Sequence, residues 1–356
     1  MRKLSVGLFP YGDNGNPYQL LIRKALDEQG VDTLPIPKRN FLPLTRAVRS
    51  PIQVLQMYWP HSLFTGATPW RTHFKRSMLQ LDIRSLGRKK FVFSAENLYP
   101  HDSRQVADDI AYTQKILHYC HGAVFTSEAA RRVYLDVYKL PAGAVQAVVP
   151  HIHYVDQYPN CVDRAEARCH LGLDPAQKVI LSLGRIHPYK GLNHLIGAFG
   201  RAAAPDHCLV VAGRAKSESV VAELRQRIAA AKGKGEVRIV DRFIPDEELQ
   251  YFYNASDAVA ITYDDMPINP GSVIMAMGFG KCIIAPDKGP IRELIHPEAL
   301  FSYPDEGEEA LQAALDAFGR ADRLAARGAC NRQRVLERHA PAVAGRKFVD
   351  LYQSIL

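Results

Sequence analysis

The sequence predicts an α/β protein made of two doubly wound parallel sheets. Three observations carry the prediction. Short apolar runs with strand character alternate with helical patterns along almost the whole chain. Residues with unusual chemistry follow the strands, at 12–17, 58–61, 96–102 and 150–154, and in open parallel sheets ligands sit beyond the carboxyl ends of strands. A length of 356 residues is long for one domain and comfortable for two.

In the first half, residues 4–9 read as a strand and 18–29 as a helix stopped by Gly30. Between them, Gly12-Asp13-Asn14-Gly15-Asn16-Pro17 lets backbone approach a ligand, but it is not the G-x-G-x-x-G dinucleotide fingerprint. Strands follow at 31–36 and 54–59, then a basic helix at 70–86 and a strand at 91–94. A helix at 108–118, a strand at 123–126, a helix at 128–138 and a strand at 145–149 complete this half. The first domain is assigned to 1–155, with a linker region over 156–174.

The second domain, 156–340, repeats the plan. Its strand at 179–183 enters Gly184-Arg185, and Lys190-Gly191 precede a helix at 192–203. Helix N-termini bind anions through unpaired N–H groups, and Arg185 and Lys190 add two charges, so the turn suits a phosphate or diphosphate. An ordinary turn with solvated cations is the alternative. Strands at 207–212, 236–240, 258–262, 282–285 and 300–303 alternate with helices at 220–232, 246–254, 271–279 and 290–295. Helices at 308–327, 331–339 and 342–356 end the chain, with 341–356 treated as a separate C-terminal helix packing back on the first domain.

Six scattered cysteines without a C-x-x-C pair fit reduced thiols better than a disulfide framework or a zinc site. The N-terminal apolar run is too short for a signal peptide, which implies a cytoplasmic location. The formal charge is +8, and residues 1–155 hold 20 Lys/Arg against 11 Asp/Glu. Between Lys38 and Lys90 there are eleven cations and one acid, Asp82, interleaved with Phe41, Trp59, Phe64, Trp70 and Phe74. That mixture suits the anionic inner face of a cell membrane. A solvated basic face without a partner remains open, and no nucleic-acid motif supports a nucleic-acid partner.

Gly184-Arg185 with Lys190-Gly191 resembles the Arg and Lys that hold the donor diphosphate in the large retaining GT-B family of glycosyltransferases, and GSVIMAMGFGKCIIAP at 271–286 resembles that family's donor helix and following strand. The family's paired glutamates are replaced here by Pro267 and Met275. Asn269-Pro270-Gly271-Ser272 resembles instead the N-S-G-S/T version in β-mannosyltransferases of bacterial exopolysaccharide (xanthan-type) assembly. Asn16-Pro17-Tyr18, Trp59-Pro60 and Asn97-Leu98-x-Pro100-His101-Asp102 are similar to elements of the same enzymes, although Glu96 stands where they tend to carry His.

The resemblance implies two Rossmann-like domains facing a cleft and transfer of a hexose, mannose first, from a nucleotide-diphosphate sugar to a glycan or lipid-linked acceptor. Donor-binding residues are then Gly184, Arg185, Lys190, Gly213, Phe243, Asn269, Gly271 and Ser272. Acceptor-binding residues are Asn14, Gly15, Asn16 and Tyr18. Leaving-group stabilisation would come from cations and dipoles, with no metal and no cofactor beyond the sugar nucleotide. Inversion needs a general base, for which Asp102 is preferred over Glu96 and His101. Retention with the donor held by Asn269 and backbone stays open. For Ser272 the bland alternative is an N-cap, and for Asp102 a helix cap. His151 and His153 suit a hinge better than a metal. A catalytically silent sugar-nucleotide binder and, less favoured, a nucleotide-dependent oxidoreductase are the competing functions.

Overall fold

The computed structural model describes residues 3–12, 17–38, 42, 44–66, 68–100, 103, 105–231, 233–264, 268–269, 271–304 and 307–356. The chain divides into two compact units. Unit one comprises 1–152, 267–269 and 339–356, and unit two comprises 153–266 and 270–338. No described helix is long and apolar enough to cross a membrane.

Unit one is built on β1 (Ser5–Phe9), β2 (Asp32–Pro35), β3 (Val54–Met57), β4 (Lys90–Ser94), β5 (Gly122–Phe125) and β6 (Val145–Val148), in the order β2-β1-β3-β4-β5-β6. Every neighbouring pair is parallel, with registers such as Val6↔Val54 and Val92↔Gly122. Strands covered on both faces are apolar throughout, and Phe9, Leu55, Met57, Phe91, Phe93 and Phe125 form the core with Tyr112, Ile116 and Tyr134 from the helices. The order reverses between β1 and β3, which marks the sheet's switch point.

Two short helices in this unit, Thr45–Arg49 and His61–Phe64, were not expected from the sequence. Neither is long enough to show a helical period. The first is fixed from outside, because Asp82, the lone acid of the cationic stretch, accepts a 2.8 Å hydrogen bond from the Leu44 N–H. The C-terminal helix Pro341–Ile355 belongs to unit one. It packs against helix Tyr18–Glu28 so closely that a Cβ on Gly345 would stand 2.6 Å from the Ala25 carbonyl. Its Tyr352 hydroxyl donates to Gln56, whose amide donates to Ser94 at 2.7 Å, all within the core.

Unit two is built on β7 (Lys178–Leu183), β8 (His207–Ala212), β9 (Glu236–Val240), β10 (Ala258–Ala260), β11 (Cys282–Pro286) and β12 (Leu300–Tyr303). The order is β12-β11-β10-β7-β8-β9, again parallel, and here the reversal falls between β7 and β10. Below the sheet lies a buried ion pair. Arg168, 1% exposed, donates to Asp257 at 3.0 Å and to the carbonyls of Ala255, Asp174 and Pro175 at 2.7–3.1 Å. Asp257 also pairs with Arg164 and accepts from the Val179 N–H at 2.8 Å, so the cluster anchors the start of β7.

The helix expected at 308–327 instead ends at Arg320, and the one expected at 331–339 begins already at Leu324 and runs to Arg338. The cause is tertiary. The Lys178 ammonium donates to the carbonyls of Gly319 and Ala321, capping the first helix, and Arg323 turns the chain with φ +52°. The helix expected at 246–254 begins only at Leu249, and Glu248 just before it pairs with Arg242.

Candidate active site

In unit two the site grows from the ends of β7 and β10, the two strands that flank the switch point. After Leu183 the chain passes through Gly184 (φ +110°), the exposed Arg185, a 3-10 turn Pro188–Lys190 and Gly191 (φ +63°) into helix Leu192–Ala202. Lys190 folds back under this turn. It is 5% exposed, its ammonium donates to the Leu183 carbonyl at 2.8 Å, and a Cβ on Gly184 would stand 2.8 Å from Nζ. Burial pushes the Lys190 amine down to about 8.

Two further residues hold the turn. Thr262 donates through its hydroxyl to the Lys190 carbonyl at 2.9 Å, and its own carbonyl fills the space a Gly191 side chain would need. Tyr263 lies with its ring 5.5 Å from the Lys190 ammonium, and its hydroxyl donates to Ser272 at 3.0 Å. Helix Gly271–Gly278 starts at Gly271, so Ser272 sits inside the first turn rather than capping it. The structure therefore brings Gly184, Lys190 and Ser272 together, and joins them through Thr262 and Tyr263, which sequence reasoning did not single out. The only signal for those two was their position directly after a strand.

The remaining donor candidates are less involved. Gly213 (φ +140°) packs on Gly184, since a Cβ there would lie 2.1 Å from the Gly184 carbonyl oxygen, so its role is close packing of two strand ends. Phe243 is 61% exposed beyond β9, and no described contact ties it to Lys190. Among the described residues Arg185 makes no hydrogen bond or ion pair, which leaves its guanidinium available to an anion.

In unit one, Glu96 follows β4 and is 4% exposed. Asn269 donates to its carboxylate through a side-chain hydrogen bond, and Asn269 clusters with unit one rather than with the donor residues. The neighbouring Ile268 is part of the first core, and its carbonyl accepts from Thr126 at 2.9 Å. Burial raises the Glu96 carboxyl to about 7, against the lowering effect of the Asn269 bond. Asn14, Gly15, Asn16, His101 and Asp102 lie outside the described residues. Tyr18 is 4% exposed and stacks on His151 with ring centroids 4.1 Å apart. His151 is itself buried, which pushes its imidazole down to about 3. The ring packs on Tyr18, and its Nδ1 lies 2.7 Å from the Ile152 carbonyl oxygen.

The described cysteines are all free. One trio has ligand character: His296, Glu298 and Cys330 place their ligand atoms within 4.8 Å of one another near the surface of unit two. Its His296 Nδ1 accepts from the Glu298 N–H at 3.3 Å and so is already engaged as a cap.

The two parallel six-stranded sheets match the fold of solved glycosyltransferases of the GT-B class. The chain superposes on sucrose-phosphate synthase from Thermosynechococcus elongatus with TM-score 0.75, 17% identity and 99% of both chains covered. It superposes on Anabaena HepE in complex with UDP and glucose with TM-score 0.73, 16% identity and 99% and 100% covered. At these identities the likeness is one of fold. Within that class, residues 163–329 match the family model described as glycosyl transferases group 1, a family of transferase enzymes. A curated relative, the lipopolysaccharide core biosynthesis mannosyltransferase LpsB of Rhizobium meliloti, is 26% identical over 246 residues, 66% of either chain. The chain spans about half to two thirds of the length of the curated relatives it matches first.

Proposed function

We propose that this protein is a glycosyltransferase that moves a hexose from a nucleotide-diphosphate sugar to a glycan or lipid-linked glycan acceptor, with mannose from a guanine nucleotide as the leading donor. The observation that carries the reading is the buried Lys190 ammonium beside Gly184, at a switch point where Tyr263 and Ser272 converge. A desolvated cation without a carboxylate partner suits a diphosphate, whose charge compensates its burial. Arg185 and the N–H groups of Gly271 and Ser272 complete the set, and they stabilise a leaving diphosphate without calling on a metal. The name of the mannosyltransferase relative and the UDP in the HepE complex support the substrate class. Pro267 and Met275 in place of acids favour inversion, with Asp102 or Glu96 as base. The basic, aromatic first unit favours work at the cytoplasmic face of a membrane.

Thermal unfolding with GDP, UDP, ADP, dTDP and NAD, each in large excess, tests the donor site. A ligand at 100 times its Kd stabilises what it binds by about 2.7 kcal/mol. We expect protection by one sugar nucleotide's diphosphate, weakening from pH 7 to 9 as Lys190 loses its proton, and lost in Lys190→Met. Protection by NAD alone would favour the oxidoreductase, and no protection by any diphosphate would overturn the reading. Protection without turnover would leave the silent sugar-nucleotide binder. The anomeric configuration of the product, read by NMR, decides inversion.

A further inference from the structure

The trio His296, Glu298 and Cys330 has no part in the Lys190 turn. His296-Pro297-Glu298 belongs to the turn that leads into β12, and Cys330 stands on helix Leu324–Arg338. Their ligand atoms nevertheless lie within 4.8 Å of one another.

The turn and the helix are fastened together around these three residues. Asn331, next to Cys330 in the chain and fully buried, accepts from the His296 N–H at 2.9 Å and donates to the Lys281 carbonyl at 2.8 Å. Arg327, one helical turn earlier, donates to the Glu298 carbonyl at 3.3 Å. The backbone beneath the trio is therefore held in place. Glu298 is exposed, and His296 and Cys330 are half-buried, so an ion can reach them from solvent. The Cys330 thiol makes only long contacts, to the Ala326 carbonyl at 3.5 Å and to the Glu298 carboxylate at 4.0 Å.

We infer that this trio binds a zinc ion, with water as the fourth ligand. Zinc accepts sulfur, nitrogen and oxygen donors together, whereas magnesium and calcium take oxygen alone. Zinc bonds of about 2.0–2.3 Å in a tetrahedron set ligand atoms roughly 3.3–3.6 Å apart. The Cys330 sulfur and the Glu298 oxygen, at 4.0 Å, need close by only a few tenths of an ångström. His296 has to give up one contact. Its Nδ1 accepts from the Glu298 N–H, so the ring proton sits on Nε2, and coordination at either nitrogen ends that bond. At 3.3 Å the bond is longer than an ordinary N–H hydrogen bond, so little is lost. Thiolate and carboxylate bring two negative charges against the one positive charge of Arg327, and the thiol proton leaves to solvent on binding.

The ion lies apart from the donor site. β12 starts at Leu300, directly after the turn, so the trio is at the amino ends of the parallel strands and the Lys190 turn is at their carboxyl ends. Zinc here clamps the His296 turn to helix Leu324–Arg338 and takes no part in leaving-group stabilisation. The inference therefore stands or falls separately from the glycosyltransferase reading.

Cobalt(II) titration of the reduced full chain tests it, because cobalt replaces zinc in tetrahedral sites and its bond to a thiolate absorbs in the near ultraviolet. A charge-transfer band saturating at one ion per chain is expected. Cys330→Ser should abolish the band with the metal-free Tm unchanged. Cys161→Ser and Cys169→Ser, at the two exposed cysteines, should leave it intact. Loss of a partner beside a metal ligand costs about 10–100-fold in affinity, so Glu298→Gln, which alters a ligand itself, should weaken binding at least about tenfold. Zinc should raise the Tm of the parent and of Lys190→Met alike, while magnesium and calcium should raise neither. Absence of the band, or its survival in Cys330→Ser, overturns the inference. Zinc protection that disappears in Lys190→Met would put the ion at the diphosphate turn and overturn it as well.

Discussion

Glu96 is an acid whose charge is opposed by its surroundings. Its carboxyl is raised from 4.5 to about 7, first by burial and against the Asn269 hydrogen bond. A raised pKa in the folded state means that folding favours the protonated form. The associated stability is complete below pH 4.5 and is lost as pH rises through 7. Glu96→Gln keeps an acceptor for Asn269 and removes the titration. The variant should be more stable than the parent at pH 8, by on the order of 2–3 kcal/mol, and no more stable at pH 5. Equal differences at both pH values would show that the carboxyl does not titrate there. If Glu96 is also the base, parental kcat/KM should rise through pH 7, and the variant should lose about 10²–10⁴-fold. The sequence named Glu96 and Asn269 for different jobs, one catalytic and one donor-binding. Their hydrogen bond spans 173 positions, and no local spacing announces such a pair.

The turn after β7 was the most legible element of the site. Strand, glycine, cations and helix follow each other in the sequence, and the structure keeps that order. What could not be read is how the turn is held. Gly191 is required twice, by its positive φ and by the Thr262 carbonyl 2.1 Å from where a Cβ would be. Gly87 has a similar φ of +62° with nothing within 4 Å of that position. The two glycines therefore separate conformation from packing. Gly87→Ala should cost about 1–2 kcal/mol for the left-handed backbone alone. Gly191→Ala should cost more, by on the order of a further 1–3 kcal/mol, and should also weaken diphosphate protection, because Thr262 positions the Lys190 carbonyl. Equal losses in chemical denaturation would mean that the turn relaxes away from Thr262. The alternation of strands and helices was enough for the doubly wound class. The strand order and the break at Ala321 were not legible, since the first depends on long-range pairing and the second on a lysine 143 positions away.

At the scale of the whole molecule, charge is distributed unevenly. The first 155 residues carry nine more cations than acids, while the full chain carries a formal +8. Sequence alone could not say whether the interleaved aromatics were core or surface, because both fit the same composition. Phe64 is fully buried, whereas Trp70 (66% exposed), Phe74 (43%) and Leu81 (51%) emerge from helix Pro69–Arg84 beside the exposed Arg71 and Arg84. Positions 70, 74 and 81 recur at helical spacing, so they share one face. An apolar face flanked by cations matches the boundary of an anionic bilayer, where each basic residue contributes about 1 kcal/mol and aromatic rings insert among headgroups. Co-sedimentation should therefore recover the protein with phosphatidylserine vesicles and not with phosphatidylcholine alone, and recovery should fall as salt rises. The double variant Trp70→Ala, Phe74→Ala should lose recovery at physiological salt and keep nucleotide protection, since both residues lie in unit one and the Lys190 turn in unit two. Recovery that ignores lipid charge would make the cations a solvated face. Recovery that follows charge but ignores both aromatics would leave electrostatic attraction without insertion.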